Sequence, residues 1–347
     1  DLHSFPTRRS SDLHIDSDYA PNLAMQAIEA YRKGGFSQLV LEGKLEYVER
    51  YNFATPFWKT RQRGEHELVV KELKTNLKDV ATHFHATAQK SKRTGDYQQA
   101  ARWYRNYLQS FPDDPDSAGT NYLLAETLFE SHQYADAAAE FERTAYEYPR
   151  GPKSAVAAHA ALVSYTKEEE RLSGSARVSW HTRAVEAGIK FASTFPEHPE
   201  SPGVLTRAAQ DLFTARDFPR AIQLSEIVLA RRPPVDAPKQ RIAWTIIGQS
   251  HFDQAAYAPA ETALLRARDL ASDDPKLRAD LTERIAASVY RQAEAKQKAG
   301  DGAGAVNDFL RVPRVAPGSA IAETAEYDAA ATLLGLKQLY GDRKSVV

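Results

Sequence analysis

Phe111-Pro112-Asp113-Asp114-Pro115-Asp116-Ser117 is echoed by Tyr148-Pro149-Arg150-Gly151-Pro152-Lys153-Ser154 and by Phe195-Pro196-Glu197-His198-Pro199-Glu200-Ser201. A looser copy is Pro317-Gly318-Ser319. The leading prolines 112, 149 and 196, with Pro233, stand 37, 47 and 37 residues apart. The first proline of each phrase ends a helix, because it has no N–H to donate and its ring collides with the preceding turn. The serine is expected to cap the next helix, its hydroxyl accepting from exposed backbone N–H groups. A stop followed by a start, at a steady period, marks an internal repeat.

Between these stops small residues keep a spacing of 12. The pairs are Ala88/Ala100, Ala125/Ala137, Ala209/Ala221, Gly248/Ala260 and Ala293/Ala305. Antiparallel helices approach to about 8 Å only where facing side chains are small, so each pair is expected at a crossing point. Tyr104, Phe141, Leu264 and Phe309 follow the second member by four residues, one helical turn, and extend the same buried face. Turns are expected at Gly95-Asp96-Tyr97, Gln133-Tyr134, Asp217-Phe218, Ala256-Tyr257 and Gly300-Asp301-Gly302, with glycine supplying the positive φ that ends a helix.

The third unit departs from the period. Leu162 and Ala184 are 22 apart, and the excess falls in Thr166–Ser179, which reads as an extended helix end plus a polar loop. Upstream, Leu23, Ala27 and Tyr31 suggest one helix, and Leu41, Leu45 and Val48 another. The aromatic stretch Phe53-Ala54-Thr55-Pro56-Phe57-Trp58 is expected to plug the end of the repeats, with a docking role as the alternative. Val69, Leu73, Leu77, Val80, Phe84 and Ala88 form one stripe, which predicts a long helix over 65–93.

Composition narrows the function classes. In 347 residues, 45 Lys+Arg balance 46 Asp+Glu, which argues against a general nucleic-acid binder. With no cysteine, disulfides, thiolate metal sites and a cysteine nucleophile are excluded. No apolar run reaches the ~18 residues of a membrane span. His66-Glu67 begins like a zinc-protease helix, but Val70 stands where the second histidine belongs. His83 and His85 point to different sides of one helix, and Glu168-Glu169-Glu170 reads as a solvated face. Gly300-Asp301-Gly302-Ala303-Gly304 lacks the Lys-Ser/Thr of a phosphate loop. No metal, cofactor or catalytic residue is expected.

Trp244-x-x-Ile247-Gly248 followed by Tyr257-x-x-Ala260 resembles the tetratricopeptide repeat, a helix–turn–helix unit of about 34 residues. The resemblance implies an all-α α-solenoid wound as a right-handed superhelix. Six units fit, at about 81–116, 117–153, 154–200, 201–238, 239–280 and 281–318, with 319–340 as the first helix of a seventh. The expected domain plan is a degenerate repeat or cap over 14–64 and a repeat array over 65–340. Residues 1–13 and 341–347 resemble a sequencing adapter translated in opposite senses, and are expected to carry no function. A signal peptide or lipid anchor would then lie beyond residue 1.

The first helix of each pair should line a concave groove. The pattern places there Thr82, His85, Gln89, Tyr122, Glu126, Phe129, His159, Thr206, Gln210, Thr245, Gln249, Tyr290 and Glu294. This lining mixes amides, hydroxyls and rings, which suits an extended peptide or partner helix. The linker phrases resemble those of bacterial envelope proteins, such as outer-membrane assembly lipoproteins and Tol–Pal coordinators. That resemblance implies a non-enzymatic scaffold in the periplasm or at the outer membrane, a cytoplasmic home staying open. One alternative is the recruiting region of a larger enzyme. Another is a solenoid enzyme acting on polysaccharide or lipid. Glycoside chemistry needs carboxyls within about 10 Å, whereas the lining offers only Glu126 and Glu294, several repeats apart.

Overall fold

The computed structural model describes residues 17–271 and 274–345, with side chains given through residue 337. The tail 1–13 lies outside the described residues, and of the tail 341–347 only helical backbone through 345 is described. Among the described residues every regular element is a helix. The chain forms two compact units, divided between Ala184 and Val185.

The first unit holds α1 (Ala20–Lys33), α2 (Ser37–Tyr51), two short 3-10 turns (Pro56–Thr60 and Arg63–Glu65) and α3 (Glu67–Ser91). It continues with α4 (Thr94–Ser110), α5 (Ser117–Glu130), α6 (Tyr134–Tyr146), α7 (Ser154–Glu169) and the first half of α8 (Gly174–Thr194). The second unit takes the rest of α8, then α9 (Ser201–Thr214), α10 (Phe218–Ala230), α11 (Ala237–Asp253) and α12 (Tyr257–Asp269). It ends with α13 (Pro275–Lys298), α14 (Gly302–Val315) and α15 (Ala322–Ser345). Serial packing of each helix on the next runs from α1 through α7 in the first unit and from α9 through α15 in the second.

The crossing residues sit where the spacing places them. Ala88, Ala100, Ala125, Ala137, Ala209, Ala221, Ala260, Ala293 and Ala305 are all fully buried. At Gly248 a Cβ would fall 2.6 Å from Leu264 Cγ and 3.2 Å from the Leu264 amide nitrogen, so glycine is what lets α11 and α12 touch. Tyr104, Phe141, Leu264 and Phe309, one turn beyond, are buried too. Burying each of these large side chains is worth about 1.5–3 kcal/mol, and their recurrence distributes the core along the chain.

The linker serines do not cap as expected. The residues at the cap positions are Asp116, Lys153 and Glu200, none with a side-chain cap bond. Ser117 and Ser201, both buried, donate backward to the carbonyls of Phe111 and Phe195, each at 2.6 Å. Ser154 instead accepts from the Gly151 amide at 3.0 Å. The hydroxyl therefore closes the linker on itself, satisfying loop groups that the prolines leave without helical partners. Asp114 ties the first linker to α3 through Lys74, and accepts from the Tyr107 hydroxyl at 3.1 Å.

Glycine is also less needed in the turns than expected. In the five turns singled out above, the left-handed residues are Lys92 (φ 56°), His132 (61°), Arg216 (62°), Ala255 (59°) and Gly300 (83°); Gly35, Gly174 and Gly318 take positive φ elsewhere. Gly95 lies inside α4, which begins one turn earlier relative to its crossing alanine than later helices do. The inserted stretch is mostly helix: α7 runs to Glu169, α8 starts at Gly174, and the polar loop shrinks to the residues between. Leu162 and Ala184 are only half-buried, so they are not a close crossing pair. Trp180 fills that place, its ring 5.0 Å from Tyr165 and its indole N–H donating to the Tyr165 carbonyl at 2.9 Å.

The aromatic stretch before α3 packs inward. Phe57 is buried 5.0 Å from Tyr51, and Phe53 meets Phe111 of the first linker at 5.4 Å. Arg61 and Arg63 lie over the Phe57 and Phe53 rings at 4.3 and 3.8 Å.

Candidate partner-binding site

Residues three before and one after each crossing position form two columns along the first helices. The first column begins His85, Tyr122, His159, and the second begins Gln89, Glu126, Val163. Within the first unit these columns converge. A cavity of about 360 Å³ is lined by His85 and Gln89 of α3 with Lys92 just past its end, Tyr122, Glu126, Phe129 and Glu130 of α5, and Val156, His159, Ala160 and Val163 of α7. Tyr97 of α4 and Phe141 of α6 close it from behind. Thr82 does not line it; this exposed side chain donates to the Lys78 carbonyl at 2.8 Å.

The floor is a hydrogen-bonded pair. His85 Nδ1 lies 3.0 Å from the Tyr104 hydroxyl, with Gln89 Nε2 at 3.4 Å from its other nitrogen. Burial holds the His85 imidazole below its usual range, against a small opposing effect of the Glu130 charge. Burial likewise pushes the Glu126 carboxyl above the usual carboxylate range. A hydrogen bond from Tyr122 and the charge of Lys153 oppose that rise, and Glu130 adds to it. The Lys153 ammonium stands 4.2 Å from the Tyr122 ring centroid, and Phe141 meets that ring edge-on at 5.5 Å. At the rim Val156 and Val163 are 47% and 40% exposed and present apolar surface to solvent.

The same columns in the second unit are taken up internally. Thr206 is buried and donates to Pro202 at 2.8 Å; Thr245 donates to Arg241 at 2.8 Å. Gln249 accepts from Arg284 and donates to Asp253 at 3.3 Å. Tyr290 donates to Asp328 at 2.6 Å, and Glu294 pairs with Arg291 at 2.6 Å. Gln210 is exposed on α9. The expected lining therefore splits: His85, Gln89, Tyr122, Glu126, Phe129 and His159 come together, and the remainder do not join them.

Sequence reasoning missed Lys92, Tyr97, Glu130, Phe141, Val156, Ala160 and Val163 in the lining. Val163 was within reach, since it occupies the column of Gln89 and Glu126. The others depend on how neighbouring helices lean. It also missed a second, open trough of about 1080 Å³ in the same unit, walled by the first two linker phrases with Tyr122, Leu123 and Tyr148.

Among the described residues no helix is long and apolar enough to cross a membrane, and no three His, Asp or Glu side chains gather to hold a metal.

Comparison with known families places these features. A family model described as YfiO, outer membrane lipoprotein, matches residues 78–220, and a tetratricopeptide-repeat model matches residues 206–275. No curated protein sequence matches the chain. Among solved structures, the tetratricopeptide domain of P58(IPK) aligns over 94% of this chain and 91% of its own, at 12% identity and a TM-score of 0.27. A STAND signal-transduction ATPase with a tetratricopeptide-repeat sensor, from Pyrococcus horikoshii, aligns over 99% of this chain and 56% of its own, at 11% identity and a TM-score of 0.29. A circular tandem repeat protein aligns over 95% of this chain and 78% of its own, at 15% identity and a TM-score of 0.18. Helix pairs joined at small crossing residues thus go with a tetratricopeptide-repeat match over residues 206–275, while residues 78–220 are similar to outer membrane lipoproteins.

Proposed function

We propose that this protein is a non-enzymatic scaffold of the bacterial envelope, periplasmic or outer-membrane associated, that holds a partner polypeptide on the first-helix face of its residue 1–184 unit. The observation that carries the reading is the convergence of His85, Gln89, Tyr122, Glu126, Phe129 and His159 on one cavity with exposed valines at its rim. Rings, amides and a half-buried carboxylate give an extended segment anchoring pockets and hydrogen-bond partners. The envelope setting rests on the match of residues 78–220 to outer membrane lipoproteins. Residues 14–64 act as a cap on the array over 65–340, through the edge-on contact of Phe53 with Phe111.

Photo-crosslinking tests this directly. A benzoylphenylalanine placed at Gln89 or Val163 should give discrete adducts in envelope extract, and one at exposed Thr262 should not. Equal labelling from all three positions, or adducts formed only with cytosolic proteins, would overturn the reading.

A further inference from the structure

We propose that the cavity between α3, α5 and α7 seats one cationic side chain, lysine or arginine, from an otherwise apolar partner segment. This rests on the reading above and specifies the partner's chemistry. Glu126, half-buried, and Glu130, exposed at the mouth, are one turn apart on α5 and both line the cavity. Neither forms an ion pair with a described residue. Glu126 accepts only from Tyr122, and Lys153 stands on the outer side of that tyrosine, in the linker trough. Tyr97, Tyr122, Phe129 and Phe141 supply the ring faces around the carboxylates. A carboxylate removed from water without a cation is costly, and a cation arriving among rings recovers that cost through charge and quadrupole together. The other titratable groups facing the space are Lys92, exposed at the hairpin turn, His85 and His159. Val156, Ala160 and Val163 form the opposing wall, which suits apolar residues flanking the cation.

The volume agrees. About 360 Å³ exceeds one long side chain and falls short of a folded element, so the body of the partner would run across the valine rim.

The test uses the full chain and phage-displayed random twelve-residue peptides. Selected peptides are synthesised and their affinities measured by fluorescence anisotropy against the parent, Val163→Trp, Glu126→Gln and the Glu126→Gln/Glu130→Gln pair. Val163 is exposed, so its tryptophan variant blocks the rim without entering the core. The expected result has two parts. The peptides weaken at least tenfold on Val163→Trp. They also share one Arg or Lys whose replacement by Gln costs tenfold in the parent and little in the double variant. Peptides blocked by Val163→Trp but indifferent to Glu126→Gln, or lacking a fixed cation, would overturn the cation pocket and leave the docking face standing. If no selected peptide responds to Val163→Trp, the docking face itself fails and the cation pocket with it.

Discussion

The two units are built from the same hairpin but secure it differently. In the first, α3 through α7 begin without side-chain caps, and the core is stocked with rings: Tyr47, Tyr51, Tyr97, Trp103, Tyr104 and Tyr107 are all buried. In the second, aspartates cap four helices: Asp217, Asp236, Asp274 and Asp301 each accept from a backbone amide three residues on. Its core relies more on alanine and aliphatic side chains, with Phe191, Phe195 and Phe309 as its buried rings, and it carries an ion network. Arg311 bridges nearly buried Glu261 and Asp308, while Lys296 holds the other oxygen of Asp308 at 2.6 Å. One unit therefore gains its stability from large buried surfaces and keeps polar side chains available at a cavity. The other commits most of its column side chains to its own structure, Gln210 excepted.

Several substitutions would break or sharpen that contrast. Tyr107→Ala should be the most damaging, costing about 3–5 kcal/mol by leaving a large void and freeing Asp114. Arg311→Met in the second unit should cost about 2 kcal/mol, because nearly buried Glu261 loses its cation while Asp308 keeps Lys296. Hydrogen exchange read region by region should show the first loss in residues 67–130 and the second in residues 257–315. Ala137→Trp and Gly248→Ala, one per unit, test the crossings. Each should lower stability by about 1–3 kcal/mol through overpacking, and a parent-like melting curve for either would remove its crossing point.

Capping separates the units at smaller scale. Asp301→Ala should cost about 1 kcal/mol in a urea titration, while Asp116→Ala should stay within about 0.5, since Asp116 makes only an exposed ion pair with Lys78. Smaller still, Ala255→Gly relieves a left-handed alanine and should gain up to about 1 kcal/mol.

Acid should act on the first unit through His85. Its folded pKa is depressed from 6.5, so the unfolded chain takes up the proton first. That contribution to stability is full above about pH 6.5 and declines as pH falls through the window below it. Glu126, raised by burial, works in the opposite sense and loses its share as pH climbs from the unfolded carboxylate range. His85→Asn should flatten the dependence between pH 7 and 5.5; an unchanged slope would place the titrating group elsewhere.

The residues that made the fold legible are those whose role is set within one hairpin. Ala125 and Ala137, or Gly248 and Ala260, announce a crossing because only small side chains permit it, and Leu264 one turn on announces the buried face. The stripe from Val69 to Ala88 marked α3 within about two residues at either end. The site was legible only in its columns. His85, Tyr122 and His159 share a period of 37, so the sequence groups them, yet Thr206 shares the same column and is buried against its own helix. Local patterns could not show that Ser117 donates backward instead of capping, that left-handed turns fall on Lys92, His132, Arg216 and Ala255, or that most of the insertion is helix. Each depends on atoms brought from a neighbouring turn or helix.

Periodicity by itself determined that this chain is built of helix pairs and which small side chains lie between the helices of most of them. Those facts follow from steric rules acting over a dozen residues. The tertiary structure alone decided which members of a repeating column stay open to a partner. Availability is a sum over neighbours: Tyr122 and Glu126 face a cavity because valine and alanine stand across from them on α7, whereas Tyr290 finds Asp328 across from it and is spoken for.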